Sequence, residues 1–176
     1  MEVEGGDFES RDFRRGLWRQ TTTAVALITC AAEGRANVMA CEWAMMISHS
    51  PMCFVVSVHS SHETHAMLEA AGEFGLNFCS DTQAELSHVS GSSSLRDVDK
   101  WQLADFRTYP ASKIGAPMID GSVINVECRI VGKHTVGHTL FIGEAVWARY
   151  DSDKSPLLFR DGKYWHLGLQ HRRDTT

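Results

Sequence analysis

Chemistry is densest at residues 59–65, His-Ser-Ser-His-Glu-Thr-His, directly after the apolar, valine-rich run MCFVVSV at 52–58. The run has strand length, and the stretch after it opens a helical segment at 65–71. A strand end that delivers hydroxyls and free amides to a helix N-terminus is suited to holding a phosphate through Ser60, Ser61, His62 and Thr64. The same residues have a plainer use, because Ser61, Glu63 and Thr64 can cap the first turn of the helix. A third use is metal binding, since His59, His62 and His65 recur every third residue and His62-x-x-His65 places two imidazoles on one helical face. No Cys or Asp lies close by in sequence to complete such a set, so no metal site is expected.

Strands dominate the elements that must position this loop. Residues 7–20 place Phe8, Phe13, Leu17 and Trp18 at roughly helical spacing, with Arg11, Arg14 and Arg15 elsewhere on the wheel. An amphipathic helix packed on the main body is predicted there. Residues 21–32 and 35–47 are apolar and β-branched around Glu33-Gly34, the pattern of an antiparallel hairpin. Gly72 ends the helix at 65–71, a strand follows at 73–79, and Asp81 opens a helix at 81–89. Residues 90–100 read as a loop and 101–118 as irregular, with Pro110 and Pro117 as breakers. Two long strands at 122–133 and 138–150 and short ones at 156–159 and 163–167 complete the chain. The sum is a mainly β, antiparallel barrel with a few short helices, formed by a single domain over 1–176. Residues 1–6 are expected to be a loose end, and the basic pair Arg172 and Arg173 to lie in a solvated tail at 169–176.

Composition removes several classes of function. Seventeen Lys and Arg against 22 Asp and Glu give a net charge of −5, which argues against nucleic-acid binding. No apolar run approaches the ~20 residues of a membrane span, and the polar N-terminus MEVEGGDFES does not resemble a signal peptide. The five cysteines (Cys30, Cys41, Cys53, Cys79 and Cys128) are odd in number and scattered through apolar runs. They read as small core residues in a reducing compartment, so a cytoplasmic location is expected.

Six stretches in order carry a resemblance: DFRRGLWRQTTTAVALIT at 12–29, NVMACEW at 37–43, GEFGLNF at 72–78, GAPMIDGSVINVECRI at 115–130, GHTLFIGEAV at 137–146 and SPLLFRDGKYWHLG at 155–168. Together they resemble the flavin reductase-like, FMN-binding split-barrel family. The resemblance implies an antiparallel Greek-key split barrel and a homodimer with FMN, or FAD, near the subunit interface. It implies that the isoalloxazine lies along Met39, Ala40, Cys41, Glu42 and Trp43, and that the phosphate sits at Ser60, Ser61, His62 and Thr64. His138 matches the histidine near the flavin face where a nicotinamide would stack, although a lone strand histidine is also an ordinary structural residue. This chain has His62 where the family often has Arg or Asn, Gly137 where it tends to be acidic, and Ala40 in place of a hydroxyl. Strand alternation puts Glu42 on the face opposite Cys41 and Trp43. Cys41, with apolar flanks and no nearby base, is a core or flavin contact and not a nucleophile. Tyr164 and Trp165 either close the barrel or cover a neighbouring subunit's flavin.

The implied activity is an NAD(P)H-dependent flavin reductase, with NADH or NADPH as donor and a monooxygenase or ferric iron as acceptor. Hydride transfer needs stacking and exclusion of water more than an acid or base, which fits the lack of a strong catalytic motif. The absence of G-x-G-x-x-G fits as well. The alternative is an FMN-carrying electron-transfer protein of the flavoredoxin kind that does not oxidise NAD(P)H directly. A flavin-free structural dimer is a third possibility.

Overall fold

The structure is a computed structural model and describes residues 4–95 and 98–168. The predicted tail with Arg172 and Arg173 lies outside the described residues. Helix α1 (Arg11–Gln20) begins where the Ser10 hydroxyl accepts from the Phe13 amide. Strands β1 (Thr23–Ala24), β2 (Ala26–Ala32), β3 (Arg35–Cys41), β4 (Ala44–His49) and β5 (Met52–His59) follow. Helix α2 (Glu63–Ala71) then leads to β6 (Glu73–Phe78), α3 (Ala84–Ser92) and a single 3-10 turn at Lys100–Gln102. Strands β7 (Thr108–Pro110), β8 (Pro117–Ile119), β9 (Ile124–Val136), β10 (His138–Tyr150), β11 (Leu158–Arg160) and β12 (Lys163–Trp165) complete the fold.

Seven strands form one antiparallel sheet in the order β3-β2-β6-β9-β10-β5-β4. Its two outermost strands, β3 and β4, are consecutive in the chain, so the sheet curls until its edges meet at the two-residue bend Glu42–Trp43. That seam makes the barrel a split one. It also corrects the expectation of one continuous strand over 35–47. The Trp43 carbonyl accepts from the Ser57 amide at 3.0 Å, tying the bend to β5. Likewise the strand expected at 21–32 breaks at Val25, whose amide donates to Leu157 and whose carbonyl accepts from Cys79.

Alternation along β2 feeds two cores. Ala26, Ile28 and Cys30 point into the barrel with Phe54, Val56, Leu68, Phe74, Leu76 and Phe141. Leu27 points outward, where Val25, Val38, Ile119 and Leu157 pack with Trp101 and Phe106. Each such side chain, fully buried, contributes about 1.5–3 kcal/mol. Gly143 in β10 is required by closeness: a Cβ there would lie 2.6 Å from Phe74 and 2.7 Å from Cys128. Helix α2 closes one end with Met67 and Leu68, then stops at Gly72 in the left-handed conformation (φ 67°). Buried Asn77 joins three segments: its amide donates to the Leu27 carbonyl, and its oxygen accepts from the Ile119 amide and from Asn125.

Helix α1 is not packed as expected. None of its residues is buried, Phe8 and Leu17 are exposed, and only Phe13, Trp18 and Arg19 are half-buried. Its C-terminal end is fixed by Trp18 against Phe159 and by an Arg19–Asp161 ion pair at 3.3 Å.

Candidate flavin site

A cleft of about 990 Å³ opens along the seam. Its floor is Met39, Ala40 and Cys41 at the end of β3, continued by Glu42 and Trp43 in the bend. Ser57, His59, His62 and His138 border it from β5, the following loop and β10, and Ser87, His88, Gly91 and Ser92 border it from α3. Trp18 with Arg11, Arg14 and Arg15 of α1, and Phe159, Gly162 and Tyr164 of the terminal hairpin, supply the remaining wall.

The floor is apolar because β3 ends with residues buried on both faces. Met39 and Cys41 are only 7% and 5% exposed and belong to the barrel core, while Ala40 faces α3, where a Cβ on Gly91 would come within 3.4 Å of its own. Burial pushes the Cys41 thiol up to about 11, against the opposing bonds from Ser57 and Trp43. It is therefore a thiol and not a nucleophile at neutral pH.

Glu42 differs from its expected placement. Because β3 stops at Cys41, the period of two no longer applies, and Glu42 lines the cleft together with Cys41 and Trp43. Its carboxylate accepts from the Trp18 indole N–H at 3.2 Å. Burial raises its pKa, and the Trp18 bond opposes that rise. Trp43 is 48% exposed, and its ring meets His138 edge-on at 5.1 Å between centroids.

His138 stands directly across from His59 in the β10–β5 register, with ring centroids 5.0 Å apart. His59 Nδ1 accepts from the Ser61 amide at 3.1 Å and contacts the Ser61 hydroxyl at 2.8 Å, which leaves its ring proton on Nε2. His62 is the N-cap of α2 but makes no side-chain cap bond. Burial lowers the His62 pKa, and His59, His138 and Lys100 lower it further.

The loop residues divide. His62 faces the cleft, whereas Ser60 and Ser61 do not line it and Ser61 is occupied with His59. Thr64 is buried, its hydroxyl accepting from Asn37 at 3.0 Å, so that side chain is turned into the core. His65 contacts the Thr139 hydroxyl at 2.8 Å, away from His62. No three His, Cys, Asp or Glu side chains gather as a metal site among the described residues.

Sequence reasoning weighed His59 only as a metal ligand and missed Ser57, the α3 residues and the three arginines of α1. The arginines carried a signal in their i, i+3, i+4 spacing, but nothing in the sequence showed which way that face would turn. Beneath the floor, Lys100 is also unexpected. It is buried, and its ammonium donates to the Val38 carbonyl at 2.8 Å and the Ser90 carbonyl at 3.0 Å, joining β3 to α3.

The sequence matches the flavin reductase-like domain over residues 18–168. The chain belongs to this family. It is 28% identical over 171 residues to the FMN reductase (NADH) SmoA of Agrobacterium fabrum, covering 96% of this chain and 91% of that protein. It is 27% identical over 157 residues to HsaB of Rhodococcus jostii, the reductase subunit of a flavin-dependent monooxygenase, covering 89% and 77%. The fold superimposes on the Streptomyces globisporus NADH:FAD oxidoreductase SgcE6 with a TM-score of 0.88 at 22% identity, over 96% of this chain and all of that one. The antiparallel split barrel is thus shared with the family's solved members.

Proposed function

We propose that the protein is an NAD(P)H-dependent flavin reductase whose flavin, FMN or FAD, lies on Met39, Ala40, Cys41 and Trp43. The observation that carries this is the pairing of an apolar floor with a polar border of Ser57, His59, His62 and His138 in one open cleft. A flat aromatic ring with an anionic tail fits that donor set. The floor offers backbone groups and apolar side chains to a ring, while His62, at the N-terminus of α2, borders the cleft where an anion would sit. A bound flavin would supply the hydride-accepting chemistry, with the reduced nicotinamide as donor. The chain's part is to hold, orient and exclude water. Trp43 and His138 form one wall of the space above the floor, and His138 is the residue nearest in kind to a catalytic contact. Glu42 is held by Trp18, so its carboxylate is fixed and not free to reach across.

The reducing equivalents pass to a monooxygenase component or to ferric iron, and HsaB supports the first of these. A homodimer is proposed through β4. Among the described residues that strand pairs only with β5, and Met45, Met46 and Ile47 are 60%, 44% and 47% exposed. Five buried free thiols fit a reducing, cytoplasmic setting. No helix among the described residues is long and apolar enough to cross a membrane.

The test is fluorescence titration of the apoprotein with FMN, followed by steady-state oxidation of NADH and NADPH with and without flavin. Saturable binding and flavin-dependent oxidation are expected. Saturable binding without oxidation would favour the flavoredoxin-like electron carrier.

A further inference from the structure

The α1 wall of the cleft is not used by the flavin reading above. Arg11, Arg14 and Arg15, at i, i+3 and i+4, all line the cleft. The concentration is not background in a chain of net charge −5, and the only carboxylate in the cleft wall among the described residues, Glu42, is already engaged by Trp18. Nor are these arginines spent on holding the helix. Arg19 with Asp161, Gln20 with Arg160 and Trp18 with Phe159 do that from the other end. Arg14 is pre-positioned, donating to the Glu9 carbonyl at 2.9 Å and to the Phe8 carbonyl. Arg11 and Arg15 have no carboxylate partner among the described residues.

Guanidinium groups present paired donors that match phosphate oxygens, and three at helical spacing suit two linked phosphates better than one. We propose that Arg11, Arg14 and Arg15 form a second anion subsite of the cleft, which binds the diphosphate of an adenine dinucleotide. The proposal rests on the flavin reductase reading. Two dinucleotides carry the same group, the nicotinamide donor and FAD. A donor anchored here would gain uniform binding, which lowers KM without changing kcat.

The experiment is calorimetric titration of ADP-ribose, a diphosphate with no nicotinamide, into wild type and an R11Q/R15Q variant, each with and without FMN. Both residues are exposed, so the variant should keep the wild-type melting temperature. Binding to wild type is expected, with a loss of about tenfold or more in the variant and unchanged FMN affinity. The KM for NADH should rise by a similar factor at constant kcat. A second arm compares FAD with FMN on the apoproteins. A variant that loses FAD affinity but keeps FMN and ADP-ribose affinity identifies the flavin's own diphosphate as the occupant. Unchanged affinity for both ADP-ribose and FAD overturns the proposal. Failure of wild type to take up FMN would sink the reductase reading instead, and the flavin-free ADP-ribose titration would still judge the arginines.

Discussion

Along β9 and β10 the sheet runs as two thirteen-residue strands paired from Ile124–Tyr150 to Val136–His138, whereas at Glu42–Trp43 the same sheet has no ladder at all. On the paired side, contacts close on each other: Gly143 has no room for a methyl group, and the buried Asn125 amide donates to the Asn77 oxygen. At the seam, Trp43 is half exposed and Glu42 reaches a helix that buries nothing. Stability is concentrated where the barrel is laddered, and binding capacity where it is split. An interrupted ladder leaves side chains that no neighbouring strand has already claimed.

The two regions should therefore fail differently. Gly143→Val forces atoms into Phe74 and Cys128 and should cost about 3 kcal/mol or more in urea unfolding, with flavin binding lost only as the fold is lost. Lys100→Met lies between the regions, since it removes the bonds to Val38 and Ser90 beneath the floor. It should cost about 2 kcal/mol through two buried carbonyls left unsatisfied, and it should also weaken FMN binding in the protein that remains folded. Trp43→Ala should change unfolding by no more than about 1 kcal/mol while raising the FMN dissociation constant about tenfold. A large stability loss there would erase the distinction between seam and ladder.

The smallest effect concerns pH. Burial, with His59, His138 and Lys100, depresses the His62 pKa, so the imidazole is neutral at pH 7. A bound phosphate favours the imidazolium, so binding takes up a proton and FMN affinity should rise as pH falls from 7.5 towards 6. Below about 6 the phosphate's own second ionisation opposes the trend. Fluorescence titrations across that range should show a slope that His62→Gln flattens. An equal slope in the variant would place the effect on another group.

The laddered region was legible in the sequence because period-two burial leaves its mark there. The runs at 52–58 and 138–150 became β5 and β10 nearly as read, and the five cysteines went into the interior. The seam was legible only in its residue types. NVMACEW located the floor, but whether Glu42 faced the cleft depended on where β3 ended. That end is set by the Ser57–Trp43 bond, a contact 14 residues away in sequence that no local pattern encodes. Thr64 read as a phosphate ligand and turned inward because Asn37, on another strand, holds its hydroxyl. The α1 arginines were visible as a spacing, yet their target appears only once Trp18 has met Phe159 and Glu42.

The central claim is that the seam holds a flavin with one face open to a nicotinamide donor. Its most direct test is an anaerobic absorbance titration of the FMN-loaded protein with NADH and then NADPH. The account predicts rapid loss of the oxidised-flavin band with at least one donor. A bound flavin that ignores both donors but bleaches with dithionite would contradict it.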